Sequence, residues 1–201
     1  MSPARLFDGD VPPGFEYRAG FVSQAEERYL LDMLATIEFT KVEMRGVVAR
    51  RRTAHFGWTY GYERRQAAPG EPIPEFLLDV RVRVAGWAGV EPEAFAEALV
   101  TEYPSGAPIG WHRDAPMFED IAGLSLGAAC RMKFRPYVSP RDLAAGTPPR
   151  RATHETELAA RSAYLIRGTA RREYEHHIPP VDAQRYSVTF RTLRGATSSR
   201  S

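Results

Sequence analysis

The amino-acid sequence predicts a mainly β protein with flanking helices, of the α+β class, built around a β-sandwich or jelly roll. Two stretches of the first half carry apolar residues at helical spacing. From about residue 97 onward, short apolar segments alternate with turn residues, which is typical of strands. A chain of 201 residues, 43% of them hydrophobic, can bury one full core, so we expect a single domain over residues 1–201.

The first predicted helix covers residues 22–37, VSQAEERYLLDMLATI. Ser23 and Glu26 have the spacing of a capping box, which marks a helix N-terminus. The apolar residues that follow recur at helical spacing; they are Leu30, Leu31, Leu34 and Ile37.

The second predicted helix lies within residues 73–89, IPEFLLDVRVRVAGWAG. It begins near Pro74, a residue favoured in the first turn, and its apolar face precedes Gly86. That face consists of Phe76, Leu77, Val80 and Val84. A strand is the alternative here, because valines also alternate at positions 80, 82 and 84.

Seven later segments are predicted as strands because each is a short apolar run bounded by turn residues. They cover residues 97–103, 121–127, 130–138, 153–159, 162–168, 173–178 and 185–193. Residues 139–151 (SPRDLAAGTPPRR) are predicted as a loop, and the tail 195–201 (GATSSRS) as disordered.

Composition narrows the class of protein. The formal net charge is only +2, so bulk charge alone does not indicate a nucleic-acid-binding protein. No apolar run is long enough to cross a bilayer, and the first residues lack the apolar core of a signal peptide. The single cysteine, Cys130, cannot form an internal disulfide. We therefore expect a soluble cytoplasmic monomer without membrane contact.

The segment TEYPSGAPIGWHRD, residues 101–114, contains a possible metal site. In an extended segment, His112 and Asp114 point to the same side and offer an imidazole and a carboxylate to one ion. A third ligand has to come from a distant strand, and the other histidines are His55, His154, His176 and His177. His176 and His177 are adjacent on a predicted strand, so one of them faces inward. Two histidines and one carboxylate form the facial triad of non-haem Fe(II) sites. His-x-Asp by itself is better explained as an ordinary polar turn.

Two arginines on the last predicted strand strengthen the metal hypothesis. Arg185 and Arg191 are six residues apart, an even number, so their side chains share one face of the strand. A guanidinium there can bind a ligand carboxylate through two hydrogen bonds, although pairing with a protein carboxylate is the alternative. A His-x-Asp motif, a later histidine and a still later Arg-x5-Arg motif follow one another over a β-rich region. This combination is specific and favours the metal site over an ordinary polar turn.

These motifs resemble those of the AlkB-like Fe(II)/2-oxoglutarate dioxygenases over roughly the last half of the chain. The matching segments are EYPSGAPIGWHRD, GLSLG, YEHHIPP and RYSVTFRTLR. The resemblance implies a double-stranded β-helix, a form of jelly roll, over residues 96–194, preceded by a helical and nucleotide-lid region over residues 1–95.

The resemblance also assigns residue roles. It makes His112, Asp114 and His176 the iron ligands, with His176 favoured over His177 because Tyr174 occupies the family's aromatic position. It implies a 2-oxoglutarate site and completes the family signature with five further residues: Thr101, Tyr103, Arg185, Ser187 and Arg191. Thr101 and Ser187 stand where the family often has asparagine, but both can still form hydrogen bonds.

Residues 44–65, MRGVVARRRTAHFGWTYGYERR, interleave aromatic residues with arginines and are predicted as a β-hairpin or lid. Aromatic faces stack on bases while arginines bind phosphates, so this composition suits methylated single-stranded DNA or RNA. The candidate substrate contacts are Arg51, Arg52, Trp58, Tyr60 and Tyr62. The alternative is a hairpin whose aromatic side chains pack on the core.

The resemblance implies an oxidative demethylase that uses Fe(II), 2-oxoglutarate and O₂ and repairs N-alkylated bases, releasing formaldehyde, succinate and CO₂. One departure bears on the substrate. Pro116 stands where repair enzymes of the family carry an acidic residue near the damaged base, with Glu119 and Asp120 as possible replacements. The alternatives are an oxygenase of the same fold that acts on a protein or small molecule, and a non-catalytic jelly-roll binding module.

Overall fold

A computed structural model describes residues 11–44, 46–61, 66–148 and 151–195. Within these ranges the chain forms two antiparallel sheets flanked by helices, which confirms the predicted mainly β class. The strands are β1 (Phe15–Arg18), β2 (Thr40–Met44), β3 (Val47–Gly61), β4 (Gln66–Pro69), β5 (Phe95–Tyr103), β6 (Ile109–His112), β7 (Phe118–Gly127), β8 (Cys130–Pro136), β9 (His154–Leu158), β10 (Ser162–Ile166), β11 (Tyr174–Ile178) and β12 (Arg185–Leu193).

The two sheets face each other as the layers of a jelly roll. The larger sheet has the order β1-β10-β7-β12-β5-β3-β2, and β4 pairs with β3 beside this path. The smaller sheet has the order β6-β11-β8-β9. Strands distant in sequence are therefore neighbours in space, and the end of the chain, β12, lies at the centre of the larger sheet between β5 and β7.

Two helices cover the outer face of the larger sheet. They are α1 (Gln24–Leu34) and α2 (Leu78–Ala88). Their apolar faces pack with the outward-facing residues of the sheet into one hydrophobic cluster that includes Leu34, Val84 and Phe190. Within the described ranges, every helix is too short or too polar to cross a bilayer.

The ends of both helices follow from local chemistry. The predicted capping box of α1 is present: the Glu26 amide donates to Ser23 Oγ, and the Ser23 amide donates to the Glu26 carboxylate. The α2 segment is a helix rather than a strand, with Val80 buried. It continues through Gly86 and ends at Gly89, whose φ of 72° is readily adopted only by a residue without a Cβ.

A second hydrophobic cluster fills the space between the two sheets. It includes Phe15, Phe118, Met132, Phe134 and Ile178. Because side chains alternate along a strand, β12 contributes to both clusters, with its even-numbered residues Val188 and Phe190 facing the helices. Its odd-numbered positions 185, 187, 189 and 191 face the smaller sheet.

The structure corrects the prediction at three places. Residues 139–151 were expected to be a loop, but Ser139 caps a short helix α3 (Pro140–Ala144). A second short helix, α4 (Gly168–Arg172), precedes β11. Each spans five residues, which is too short to show a helical period in the sequence. The first half also contains β1 and β2, which lacked clear alternation. Within residues 44–65, predicted as a hairpin or lid, the structure has one long strand, β3, whose antiparallel partners β2 and β4 lie mostly outside that segment.

Gly123 on β7 gives a test of packing between the sheets. Its cross-strand partner is Tyr164, and a Cβ at position 123 would lie 2.1 Å from the tyrosine ring. We expect Gly123→Ala to lower the free energy of unfolding by about 1–3 kcal/mol, because the buried ring has to shift. Urea denaturation measures this change.

The matched control is Gly86→Ala in the middle of α2, where an added Cβ would meet nothing within 4 Å. This variant should be more stable by about 0.5–1 kcal/mol, because alanine is the better helix former. Equal stability of the two variants would contradict the proposed packing of Tyr164.

Candidate metal centre

Three side chains able to bind one metal ion converge between the sheets. His112 ends β6 and is the cross-strand partner of His176 on β11, and Asp114 follows two residues later. One potential ligand atom from each of the three side chains lies within 4.8 Å of the other two. Two imidazoles and a carboxylate on one side of an ion match the preference of non-haem Fe(II). The residues therefore fit the metal that the sequence predicts.

The two histidines are neutral and oriented. His112 Nδ1 lies 2.8 Å from the carbonyl oxygen of Gly110, and because a carbonyl only accepts, Nδ1 carries the proton and Nε2 keeps its lone pair. Burial lowers the pKa of His112, and burial together with the neighbouring His112 lowers the pKa of His176 to about 3. Both imidazoles are therefore in the protonation state that binds metals.

Asp114 is held by an arginine. Its Oδ1 accepts a hydrogen bond from Arg191 Nη2, while Oδ2 lies 3.7 Å from His176 Nε2. Burial would raise the pKa of Asp114, but Arg191 and the two histidines hold it well below its usual range. Arg191 also donates from Nη1 to Glu97 Oε2 at 3.0 Å. The carboxylate is thus ionised, and one of its oxygens is fixed while the other faces the histidines.

A buried arginine fixes the loop that carries Asp114. β6 ends at His112, so Asp114 is not part of a strand as its spacing suggested. Arg171 on α4 compensates: its Nη2 lies 3.1, 2.8 and 2.9 Å from the carbonyl oxygens of Asp114, Ala115 and Phe118. Arg171 is 5% exposed, whereas its neighbour Arg172 is exposed and paired with Glu119. Of these two adjacent arginines, only Arg171 supports the metal centre.

Arg185 is completely buried beside the cavity, and no carboxylate of the described residues pairs with it. Its Nη2 donates to Ser125 Oγ, and its guanidinium carbon lies 4.7 Å above the Tyr103 ring. Within the residues that the structure describes, Nε and Nη1 have no hydrogen-bond partner. A buried guanidinium without a counter-ion is costly, so the position calls for an anionic ligand. A dicarboxylate such as 2-oxoglutarate fits this requirement.

The cavity at the metal centre lies between the sheets and has a volume of about 50 Å³. Tyr103 and Tyr164 line it together with the three candidate ligands. Burial raises the pKa of Tyr103 and raises that of Tyr164 to about 12, so both hydroxyls remain protonated donors.

Thr101 and Ser187 belong to a row of hydroxyl side chains that crosses the larger sheet. The two residues are direct cross-strand partners, so their departures from asparagine form one local change. Successive strands pair in the order Thr53, Thr101, Ser187, Ser125 and Ser162. Of this row, Thr101 and Ser187 line the cavity, where their hydroxyl groups can donate hydrogen bonds to a carboxylate ligand.

The candidate substrate residues fall on different sides of β3. Arg51 lies close enough to His112 and Tyr103 for its positive charge to act on both side chains, which places it near the cavity. Arg52 instead donates to Glu102 at 2.5 Å and packs over Phe39 on the helical face of the sheet. Trp58 is 39% exposed near the pairing of β3 with β4. The backbone of Tyr60 pairs with Ala67, while its side chain, and Tyr62 as a whole, lie outside the described residues.

The remaining candidates lie away from the cavity. His177 points to the outer face of the smaller sheet, where its Nδ1 lies 2.7 Å from the carbonyl oxygen of Ile109 and its ring stacks on Trp111. The Glu119 carboxylate is engaged by Arg172 and Arg194. Neither Glu119 nor Asp120 lines the cavity. Neither of them therefore replaces the acidic residue that repair enzymes of the family carry at the position of Pro116.

Sequence reasoning missed Tyr164, Arg171 and Glu97. Tyr164 reaches the cavity only because its partner across the strand is a glycine, which requires the register to be known. Arg171 stands five residues before His176 in a run of arginines that suggested a solvated surface. Glu97 opens a predicted strand without any motif around it. A signal was present only for Arg171, in its short distance from the candidate ligand.

Comparison with known proteins gives a consistent result. The sequence pattern of the 2OG-Fe(II) oxygenase superfamily matches residues 14–194. The Alkylated DNA repair protein ALKBH8 homolog of Arabidopsis thaliana is 29% identical, with the match covering 96% of this chain and 59% of that protein. The tRNA (carboxymethyluridine(34)-5-O)-methyltransferase ALKBH8 of Mus musculus is 27% identical over 85% of this chain and 25% of that protein.

A further relative and a solved structure extend the comparison. The Probable RNA/DNA demethylase ALKBH6 of Danio rerio is 24% identical over 62% of this chain and 51% of that protein. The structure of OsALKBH1 superposes with a TM-score of 0.66 at 15% identity, covering 90% of this chain and 99% of that one. The chain thus shares this fold, and it spans between a quarter and about three fifths of the length of the curated relatives named here.

Arg171 and Arg172 form a matched pair for testing the loop that carries Asp114. We expect Arg171→Met to weaken Fe(II) binding at least tenfold and to lower the free energy of unfolding by about 2–4 kcal/mol, because three buried carbonyl groups lose their donor. Anaerobic Fe(II) titration and urea denaturation measure the two effects.

Arg172→Met is the control, since it removes an exposed ion pair that contributes roughly 0–1 kcal/mol. It should bind Fe(II) like the unmodified protein. If the Arg171 variant did so as well, Arg171 would have no role in positioning Asp114.

Proposed function

Because the chain belongs to the 2OG-Fe(II) oxygenase superfamily, we propose that it oxidatively demethylates N-methylated bases in DNA or RNA. In this proposal His112, Asp114 and His176 hold Fe(II), and Arg185 with Tyr103 binds 2-oxoglutarate. The observation that carries it is the completely buried Arg185, whose Nε and Nη1 have no partner among the described residues, close to a histidine-aspartate-histidine cluster.

The protein supplies binding and orientation. Arg185 would bind a carboxylate of 2-oxoglutarate through its unpaired N–H groups, and Tyr103 would donate a hydrogen bond from its protonated hydroxyl. Thr101 and Ser187 offer further hydroxyls from the adjacent strands. When bound, Fe(II), 2-oxoglutarate and O₂ supply the oxidising chemistry, in which 2-oxoglutarate becomes succinate and CO₂ and one oxygen atom enters a substrate C–H bond. A hydroxylated N-methyl group then leaves as formaldehyde.

Arg191 is placed to orient Asp114, one of the candidate metal ligands. It fixes one oxygen of Asp114 and is itself fixed by Glu97, so the carboxylate would be offered to a metal in one orientation. His112 is oriented in the same way by the carbonyl group of Gly110. Such supporting hydrogen bonds would hold the ligand side chains in place and so favour metal binding.

Nucleic acid as the substrate rests on β3 and on the relatives. Trp58 presents an exposed aromatic side chain on β3, and Arg51 on the same strand adds positive charge near the cavity. The named relatives are a DNA repair protein, a tRNA-modifying enzyme and a probable RNA/DNA demethylase. Because the chain spans only 25% of the mouse protein, the methyltransferase activity in that name gives no reason to propose the same activity here.

The proposal includes three further features: one domain, a monomer and the cytoplasm. The superfamily match over residues 14–194 supports the single domain within this chain. Cys130 is a buried free cysteine, which suits a reducing compartment such as the cytoplasm.

The activity is tested by incubating the protein with Fe(II), 2-oxoglutarate and O₂, together with methylated single-stranded DNA, methylated RNA or an unmethylated control. We expect formaldehyde and succinate in equal amounts with a methylated strand. His112→Ala should abolish both products, because a ligand is lost. Mass spectrometry of the oligonucleotide and a formaldehyde assay provide the measurements.

A second variant tests whether Arg185 binds 2-oxoglutarate. Arg185→Met should raise the KM for 2-oxoglutarate at least tenfold with little change in Fe(II) binding, because only the carboxylate partner is lost. Succinate production that is indifferent to every oligonucleotide would point to a protein or small-molecule substrate instead. A wild-type protein that binds no Fe(II) would rule out either activity.

Trp58 tests the substrate surface. We expect Trp58→Ala to weaken oligonucleotide binding about tenfold, because stacking on a base contributes roughly 1–3 kcal/mol, while Fe(II) binding stays unchanged. Fluorescence anisotropy measures the Kd. The control is Tyr29→Ala, which removes another exposed aromatic side chain, 54% accessible, from α1. Equal losses in both variants would show a nonspecific effect.

A further inference from the structure

A chain of hydrogen bonds extends from Asp114 to the edge of the site. Asp114 Oδ1 pairs with Arg191, and Arg191 Nη1 donates to Glu97 Oε2 at 3.0 Å. The other oxygen of Glu97, Oε1, lies 3.0 Å from His55 Nδ1. Glu97 is completely buried, whereas 37% of the His55 side chain is exposed. His55 is therefore the only accessible member of the four.

His55 lies on the strand assigned above to the substrate. On β3, Ala54 and Phe56 pack into the cluster under the helices, so His55 between them points to the opposite side, towards the cavity. Its cross-strand partner is Leu99, which lines the cavity. His55 therefore lies on the cavity side of β3, beside a strand that lines the cavity.

Glu97 fixes which nitrogen of His55 carries the proton. A carboxylate only accepts hydrogen bonds, so the proton between the two groups lies on Nδ1. In the neutral imidazole Nε2 is then an acceptor, and 37% of the side chain that carries it is exposed. The second oxygen of Glu97 accepts a hydrogen bond from Arg191, which holds the carboxyl group in place. A buried carboxylate thus gives an accessible imidazole one defined hydrogen-bonding role.

Resting on the proposed function, we infer that His55 is a specificity-determining residue whose Nε2 accepts a hydrogen bond from an N–H donor of the methylated base. Glu97 acts as a positioning residue for both ends of the chain: it sets the tautomer of His55 and holds Arg191 against Asp114. A base that presents an amino group towards His55 is favoured over one that presents a carbonyl group, because two acceptors face each other in the second case.

Two methylated pyrimidines separate these cases. 3-Methylcytosine carries an amino group at position 4, and 3-methylthymine carries a carbonyl oxygen there and has no N–H group. The experiment measures kcat/KM for both bases in otherwise identical single-stranded oligonucleotides, at a pH above the usual pKa of histidine. We expect the wild-type protein to prefer 3-methylcytosine by about tenfold, the value of one hydrogen bond.

His55→Phe should bring this ratio close to one, mainly through a higher KM for the 3-methylcytosine strand. The KM for 2-oxoglutarate and Fe(II) binding should not change. An unaltered ratio in this variant, or a wild-type protein that favours 3-methylthymine, would overturn the inference. A loss of the same size on both strands would also overturn it, because His55 would then contact the phosphate backbone or the fold rather than the base.

Glu97→Gln gives a readout that a purely structural role would not produce. The carbonyl oxygen of the new amide must face Arg191, which only donates, so its amino group faces His55 and transfers the acceptor role to Nδ1. Nε2 then carries the proton, and the preference should shift towards 3-methylthymine. The matched control is Glu102→Gln on the same strand, where the buried glutamate pairs with Arg52 on the other face of the sheet. It should leave the ratio unchanged.

Binding distinguishes a failure of this inference from a failure of the proposed function. Fluorescence anisotropy of both oligonucleotides with the anaerobic protein, loaded with Fe(II) and 2-oxoglutarate, gives the same ratio without turnover. Absence of formaldehyde from every strand would contradict the demethylase function. The ratio of the two Kd values, with and without His55, would still decide whether His55 reads the base.

Discussion

Arg191 is shared by two buried carboxylates, and the arrangement of the site depends on this sharing. Arg191 donates from Nη2 to Asp114 and from Nη1 to Glu97, and its charge holds the pKa of Asp114 well below its usual range. The other oxygen of Glu97 lies beside His55 Nδ1. One side chain on β12 therefore fixes the position of a carboxyl group on β5 and of another on the loop after β6.

The sequence predicted the main helices, most of the strands and the candidate metal ligands, because these features depend on local motifs. Capping residues and helical periodicity located α1 and α2, and alternation located the strands that carry His176 and Arg185. The even spacing of Arg185 and Arg191 placed both on one face, and the structure confirms that face as the one between the sheets. These predictions need only residues within one strand or helix, where the backbone geometry fixes the direction of each side chain.

The parts that could not be predicted depend on register between distant strands. Glu97 faces Arg191 because β5 and β12 pair in one register, and Gly123 admits the Tyr164 ring because β7 and β10 do. A shift of either register by one residue would reverse which side chains face the cavity. The hydrogen bonds from Arg171 to the loop that carries Asp114 depend on a five-residue helix, which is too short to show a helical period of apolar residues. None of these relations is encoded in the spacing of residues along the chain.

The larger sheet separates two hydrophobic clusters, one under the helices and one between the sheets. The apolar faces of α1 and α2 belong to the first cluster, whereas the candidate metal ligands lie beside the second. Many substitutions on those faces should therefore change thermal stability more than chemistry. The inner layer has less freedom, because its polar groups depend on one another. Directed evolution towards new substrates would thus gain most from β3, which pairs with the cavity-lining strand β5 and carries exposed side chains.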